Sequence, residues 1–180
     1  FFFLITFLSY SQLTTVNPDT VCYQTSGSIY QVSNAPGYVY NWTILAPGVI
    51  TAGQGTNQIT VDWSAANPGL IVGAVTVDAT NANGCLSAPS VLDVFIYDVT
   101  PTITAIGPFC ETDPCVPLTA NPAGGVFSGT GVVGGDFCPN VAGAGGHTIT
   151  YTYTDGGCTF DATINVGVST QPVLSPIQHN

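Results

Sequence analysis

Tyr38-Val-Tyr-Asn-Trp-Thr-Ile44 decides how this chain folds. Its large apolar side chains fall at every second position. Tyr38, Tyr40, Trp42 and Ile44 therefore share one face of an extended strand, and Val39, Asn41 and Thr43 the other. The period predicts a half-buried β-strand with an aromatic core face. The same period returns downstream. Gly53-Gln-Gly-Thr56 marks a turn, after which Gln58-Ile-Thr-Val-Asp-Trp63 alternates with Ile59, Val61 and Trp63 inward. Asn67-Pro-Gly69 turns again, Leu70 to Thr80 forms a further strand, the hairpin signal Asn83-Gly84 leads into Cys85, and Val91 to Val99 closes the set.

Beyond Thr100-Pro101 the pattern restarts. Cys110 is followed by a Pro-flanked strand over Val116 to Ala120 and by the glycine-rich stretch Gly124 to Gly135. In His147-Thr-Ile-Thr-Tyr-Thr-Tyr-Thr154, Ile149, Tyr151 and Tyr153 alternate with threonines; Asp155-Gly-Gly157 turns the chain into Cys158 and a last strand over Phe160 to Val168. Short strands with frequent turn signals are the mark of a sandwich. The expectation is an all-β chain of two tandem, disulfide-bridged β-sandwich modules over residues 13–100 and 101–169. Residues 170–180 form a linker towards a further module, in keeping with a chain excerpted from a longer protein.

Composition agrees. The chain has one Glu, no Met and no Lys, so strong helix formers are scarce, while 45% hydrophobic residues suffice for a packed core. Ten acidic side chains face no Lys or Arg, for a net charge of -10. Nucleic acid is thereby disfavoured as a partner, because binding it relies on basic groups that displace counterions from phosphates, and anionic membrane surfaces are disfavoured likewise.

Phe1-Phe-Phe-Leu-Ile-Thr-Phe-Leu8 is apolar but too short to span a bilayer as a helix. With Ser9 and Ser11 before Gln12, residues 1–12 match the hydrophobic and cleavage regions of a signal peptide whose basic start is missing. A hydrophobic first strand is the alternative. Export implies a secreted or cell-surface location, no membrane insertion after processing, and an oxidising environment.

In that environment the six cysteines, Cys22, Cys85, Cys110, Cys115, Cys138 and Cys158, are expected to form disulfides. A chain divided near Thr100-Pro101 leaves Cys22 and Cys85 as the pair of the first module. In the second, the preferred pairing is Cys110 with Cys158 and Cys115 with Cys138. A four-cysteine zinc site is the alternative there, although intervals of 4, 22 and 19 residues lack the paired C-x2-C knuckles of such sites.

Cys22, the Tyr38-x-Tyr-x-Trp42 strand, Gly53-Gln-Gly-Thr56, Ile59-Thr-Val-Asp-Trp63 and Asn83-Gly-Cys85 together resemble the PKD-like and immunoglobulin-like repeats of large Bacteroidetes surface proteins. The second module resembles a companion immunoglobulin-like repeat through Phe109-Cys110, Gly125-Val-Phe-Ser-Gly129, Gly131-Val132, Phe137-x-Pro139, Gly145-Gly-His-Thr-Ile-Thr-Tyr151 and Gly157-Cys158. The resemblance implies a repeat region of an adhesin or gliding-motility-associated protein, non-catalytic, exported through Sec and then the type IX secretion system. No sorting domain is recognisable among these residues, and Cys115 and Cys138 look additional to the pair usual in such repeats.

Other chemistry finds less support. Gly129-Thr-Gly-Val-Val-Gly134 matches G-x-G-x-x-G, but a dinucleotide site needs a helix opening at its last glycine, and Gly135-Asp-Phe-Cys-Pro139 follows instead. His147, Ser128 and Asp136 could be imagined as a hydrolase triad, yet no G-x-S-x-G elbow is present. No catalytic residue, cofactor-binding residue or metal ligand is assigned. Calcium is the one cofactor left open, through loop carboxylates at Asp19, Glu111, Asp113, Asp136 and Asp155. Asp62, Asp78, Asp93 and Asp98 are placed on solvated faces. Asn41-Trp-Thr43 is a glycosylation sequon on the outer face of its strand. Tyr38, Tyr40, Trp42 and Trp63 read as core packed against the first disulfide, with a sugar-stacking platform as the alternative. The partner is then an unassigned surface glycan or protein ligand, with self-association open. Two further functions stand beside the adhesive spacer: a glycan-binding module of a secreted enzyme, and a filament subunit that assembles by strand addition.

Overall fold

A computed structural model describes residues 13–14 and 17–179. The proposed signal peptide at residues 1–12 lies outside the described residues. The chain divides into two compact units, with the boundary between Asp98 and Val99.

The first unit holds β1 (Leu13–Thr14), β2 (Asp19–Cys22), β3 (Ser28–Gln31), β4 (Val39–Ile44), β5 (Val49–Ala52), β6 (Gln58–Asp62), β7 (Gly69–Thr80) and β8 (Ser90–Tyr97). One sheet runs β1-β8-β7-β4 with β2 also paired to β8, and a second runs β3-β6-β5. Alternation puts Tyr40 and Trp42 of β4 and Ile59 and Val61 of β6 into the core, where they meet Trp63, Tyr30, Val94 and Ile96. Tyr38 departs from the expectation: it precedes β4 and is 43% exposed, so the aromatic face begins at Tyr40.

Polar atoms carried inward with the aromatics are paired. The Tyr40 hydroxyl donates to the Ser33 carbonyl at 3.1 Å and accepts the Ala35 N–H at 2.7 Å. The Trp42 indole donates to the Thr56 carbonyl at 2.8 Å, and the Trp63 indole to the Tyr30 hydroxyl at 3.0 Å. Each closes a bond that burial would otherwise leave unmade. Gly48 lies so close to the Trp63 ring that a β-carbon would overlap it. The tight turn before β5 is thus a condition of seating the indole.

The second unit holds β9 (Thr102–Ile103), β10 (Phe109–Cys110), β11 (Val116–Pro117), β12 (Ala120–Asn121), β13 (Val126–Gly129), β14 (Val132–Val133), β15 (Asp136–Phe137), α1 (Pro139–Ala142), β16 (Gly145–Asp155) and β17 (Cys158–Ser169). Its main sheet runs β10-β17-β16-β13, flanked by the small sheets β11-β15-β14 and β12-β9. The strand expected over Val116 to Ala120 is broken in two. β11 pairs with β15 and β12 with β9, because Pro117 cannot donate to a continuous ladder. Gly156 and Gly157, with φ of 57° and 81°, form the two-residue turn that sets Asp155 opposite Cys158. Phe137, Ile149, Val166, Val168 and Leu118 make the core. Residues 170–179 carry neither helix nor strand and are exposed.

The chain is therefore all-β, two tandem immunoglobulin-like sandwich modules. β2, β8, β7 and β4 of the first module are matched in order by β10, β17, β16 and β13 of the second.

Candidate functional site

In each module an early strand runs parallel to the closing strand. β2 pairs with β8 from Asp19↔Val94 to Cys22↔Tyr97, and β10 with β17 at Phe109↔Val168 and Cys110↔Ser169. This register places the four cysteines expected to pair as Cys22–Cys85 and Cys110–Cys158 within their modules. Cys22 and Cys110 sit beside the C-terminal ends of the closing strands. Cys85 lies in the loop that leads into β8, and Cys158 opens β17.

The expected pairs Cys22–Cys85 and Cys110–Cys158 are corrected by this geometry. From Ser90 to Tyr97 and from Cys158 to Ser169 the closing strands extend roughly 23 and 36 Å at about 3.3 Å per residue. Disulfide-bonded α-carbons lie no more than about 7 Å apart, so neither pair can close. Cys22 and Cys158 are each disulfide-bonded, while Cys85 and Cys110 carry free, exposed thiols. Cys115 is joined to Cys138, with α-carbons 4.1 Å apart, and ties β11 to the start of α1. With Cys115, Cys138 and Cys158 in disulfides, zinc has no four-thiolate site here.

The other constellations disperse. Gly134 is followed by β15, and α1 opens only at Pro139, so the glycine-rich segment lacks the helix N-terminus that would receive a pyrophosphate. Pro139 starts that helix, where its missing N–H costs no bond. Ser128 stands opposite Thr150, three positions along β16 from His147, or roughly 10 Å. The His147 Nε2–H donates to the Gly143 carbonyl at 2.8 Å. Among the described residues no cluster of three or more His, Cys, Asp or Glu comes together to hold a metal. Asp113 accepts the Cys110 N–H at 2.7 Å and Glu111 the Ala144 N–H at 3.1 Å, so both carboxylates serve loop structure. Tyr40, Trp42 and Trp63 are buried and form no sugar platform, and no bridge lies between Cys22 and Cys85 for Trp42 to pack on. Asn41 is exposed on the outer face of β4.

Two aspartates differ from the solvated default. β7 is irregular between Ile71 and Val75, and Asp93 of β8 accepts the Gly73 N–H there at 2.6 Å, holding the bulge. Asp78 Oδ1 is buried with no hydrogen-bond partner among the described residues. Asp62 accepts the Ser64 N–H at 2.8 Å, which holds its carboxyl below the usual range. Burial, with the Asp19 carboxylate alongside, pushes the Tyr30 phenol well above its ordinary value.

Fold and disulfides together define a modular immunoglobulin-like protein. Residues 10–94 match the model of the PKD-like domain, so the first module is similar to that family. No curated protein matches the chain in sequence. Among solved structures it is similar to the fibronectin(III)-like modules of CbhA from Clostridium thermocellum, at 15% identity over 91% of this chain and 95% of that one, with a TM-score of 0.37. It is also similar to human protocadherin-24 EC1-2, at 12% identity over 88% and 97%, with a TM-score of 0.33. Disulfides in the chain and a PKD-like first module fit an extracellular setting, and modules of this kind are typically non-catalytic. Among the described residues no helix is long and apolar enough to cross a membrane.

Proposed function

We propose that the chain is a non-catalytic repeat region of a secreted cell-surface protein, its modules serving as adhesive or spacer units in cell adhesion or gliding. The parallel pairing of an early strand with the closing strand in both modules carries this reading. When a module is pulled from its two ends, β2 and β8 are drawn in opposite directions along their common axis. Their hydrogen bonds then fail together rather than one after another. The acidic, glycine-rich surface suits a solvated spacer that neither binds nucleic acid nor coats an anionic membrane. The sequence resemblance supports a Bacteroidetes adhesin or gliding-associated protein, exported by a signal peptide and the type IX system, with a surface glycan or protein ligand as partner.

Single-molecule pulling tests the mechanical part. Drawn from its ends, the chain should resist at clearly higher force than when pulled across the β16–β17 hairpin, where ladder bonds open one pair at a time. Equal forces in the two geometries would refute a spacer role built on strand shear.

A further inference from the structure

Each module carries one cysteine beside the C-terminal end of its closing strand, Cys22 or Cys110, and one at or before the N-terminal end of that strand, Cys85 or Cys158. The two kinds of position stand at opposite poles of a module, too far apart to bond within it. Cys22 and Cys158, one of each kind, are disulfide-bonded. Cys85 and Cys110, the other of each kind, are free and exposed. So each free thiol has a structural counterpart in the sister module that is already oxidised.

We propose that Cys85 and Cys110 are end-to-end coupling thiols: Cys85 of one copy of this chain forms a disulfide with Cys110 of the next, linking copies head to tail. This goes beyond the spacer reading and does not depend on it. A strand-end thiol meeting a hairpin-end thiol is a heterologous contact, and heterologous contacts propagate into chains rather than closing as pairs. The local surfaces are compatible. No charged residue lies between Asn81 and Ser90, and Leu86 beside Cys85 is exposed, so this neutral loop meets Glu111 and Asp113 near Cys110 without like-charge repulsion. The oxidant is the disulfide of a thiol–disulfide exchange partner. One thiolate attacks that disulfide, expelling a thiolate and leaving a mixed disulfide; the second thiolate then displaces the remaining donor sulfur. Two protein thiols lose two electrons and two protons, one S–S bond forms, and one donor disulfide becomes two thiols.

The test exposes the full chain to an oxidised and reduced glutathione mixture and runs it on a non-reducing gel. The chain should give a ladder of multimers that reductant collapses. Cys85→Ser and Cys110→Ser should each lose the ladder, whereas the two variants mixed should give a dimer. Since the chain has no Lys or Arg for trypsin, a chymotryptic peptide map should locate the bond between Cys85 and Cys110. Both positions are exposed, and a far-UV circular dichroism spectrum identical to that of the parent chain, which reports on both modules, confirms that the variants fold. A monomeric chain whose two thiols remain alkylatable would overturn the proposal. So would bonds mapped as Cys85–Cys85 or Cys110–Cys110, or a Cys85–Cys110 bond confined to a single monomer.

Discussion

The two modules share a strand order and differ in what fills them. The first is closed by bulk: Trp63, Trp42, Tyr40, Tyr30, Ile59 and Ile96 form a continuous core under two sheets of substantial strands. The second has two long strands, β16 and β17, and otherwise segments of two to four residues around a smaller core in which Phe137 is the one fully buried phenylalanine. The second also carries the Cys115–Cys138 bridge, which fixes β11 against the segment following β15. Apolar burial supplies about 25 cal/mol per Å², and a disulfide instead removes freedom from the unfolded chain. One strand order is thus stabilised by two different means.

The sharpest way to break the comparison is to empty the first core. Trp63→Ala, at a site with 0% exposure, should cost about 3 to 5 kcal/mol by large-to-small truncation. Denaturant unfolding would show it as a shifted far-UV midpoint, and a loss under about 1 kcal/mol would mean the site collapses freely. Cys115→Ser with Cys138→Ser opens a loop of sequence separation 23 and should cost about 3 kcal/mol, confined to the second module. Tyr30→Phe removes the acceptor of the Trp63 indole and should cost about 1 to 3 kcal/mol by leaving a buried donor unpaired. The same phenol gives the first module an alkaline limit. Its folded pKa is raised, so its contribution is complete below the unfolded value near 10 and is lost as pH climbs from there through the folded value. An alkaline melt should therefore destabilise the parent chain more than Tyr30→Phe. The smallest effect belongs to Asp62, whose folded pKa is lowered. Its contribution is present above the unfolded carboxylate pKa and lost as pH falls through the folded one, so Asp62→Asn should flatten the acid limb only slightly.

These differences also mark what the sequence could and could not reveal. Alternation in residues 38–44, 58–63 and 147–154 exposed the long strands and most of the aromatic core, because a period of two is legible over five or more residues. Tyr38 misled because the residue before a strand obeys the pattern without sharing its burial. β9 to β12 and β14 to β15 were opaque, since two residues have no period and owe their pairing to distant partners. The cysteines failed for a related reason. Spacing shows that Cys22 and Cys85 bracket a module but not which end of β8 each occupies. The parallel β2–β8 register, a tertiary fact, decides that. Asp93 likewise has a role only because β7 bulges opposite it.

Both tryptophans of the chain, Trp42 and Trp63, lie in the first module, so their fluorescence reports on that module alone while far-UV circular dichroism reports on both. The most direct test is denaturant unfolding of the Cys115→Ser, Cys138→Ser variant followed by both signals. The account predicts an unchanged tryptophan midpoint with an earlier phase appearing in the far-UV signal. A tryptophan midpoint that falls as far as the far-UV one would contradict the claim that the modules are stabilised separately and by different means.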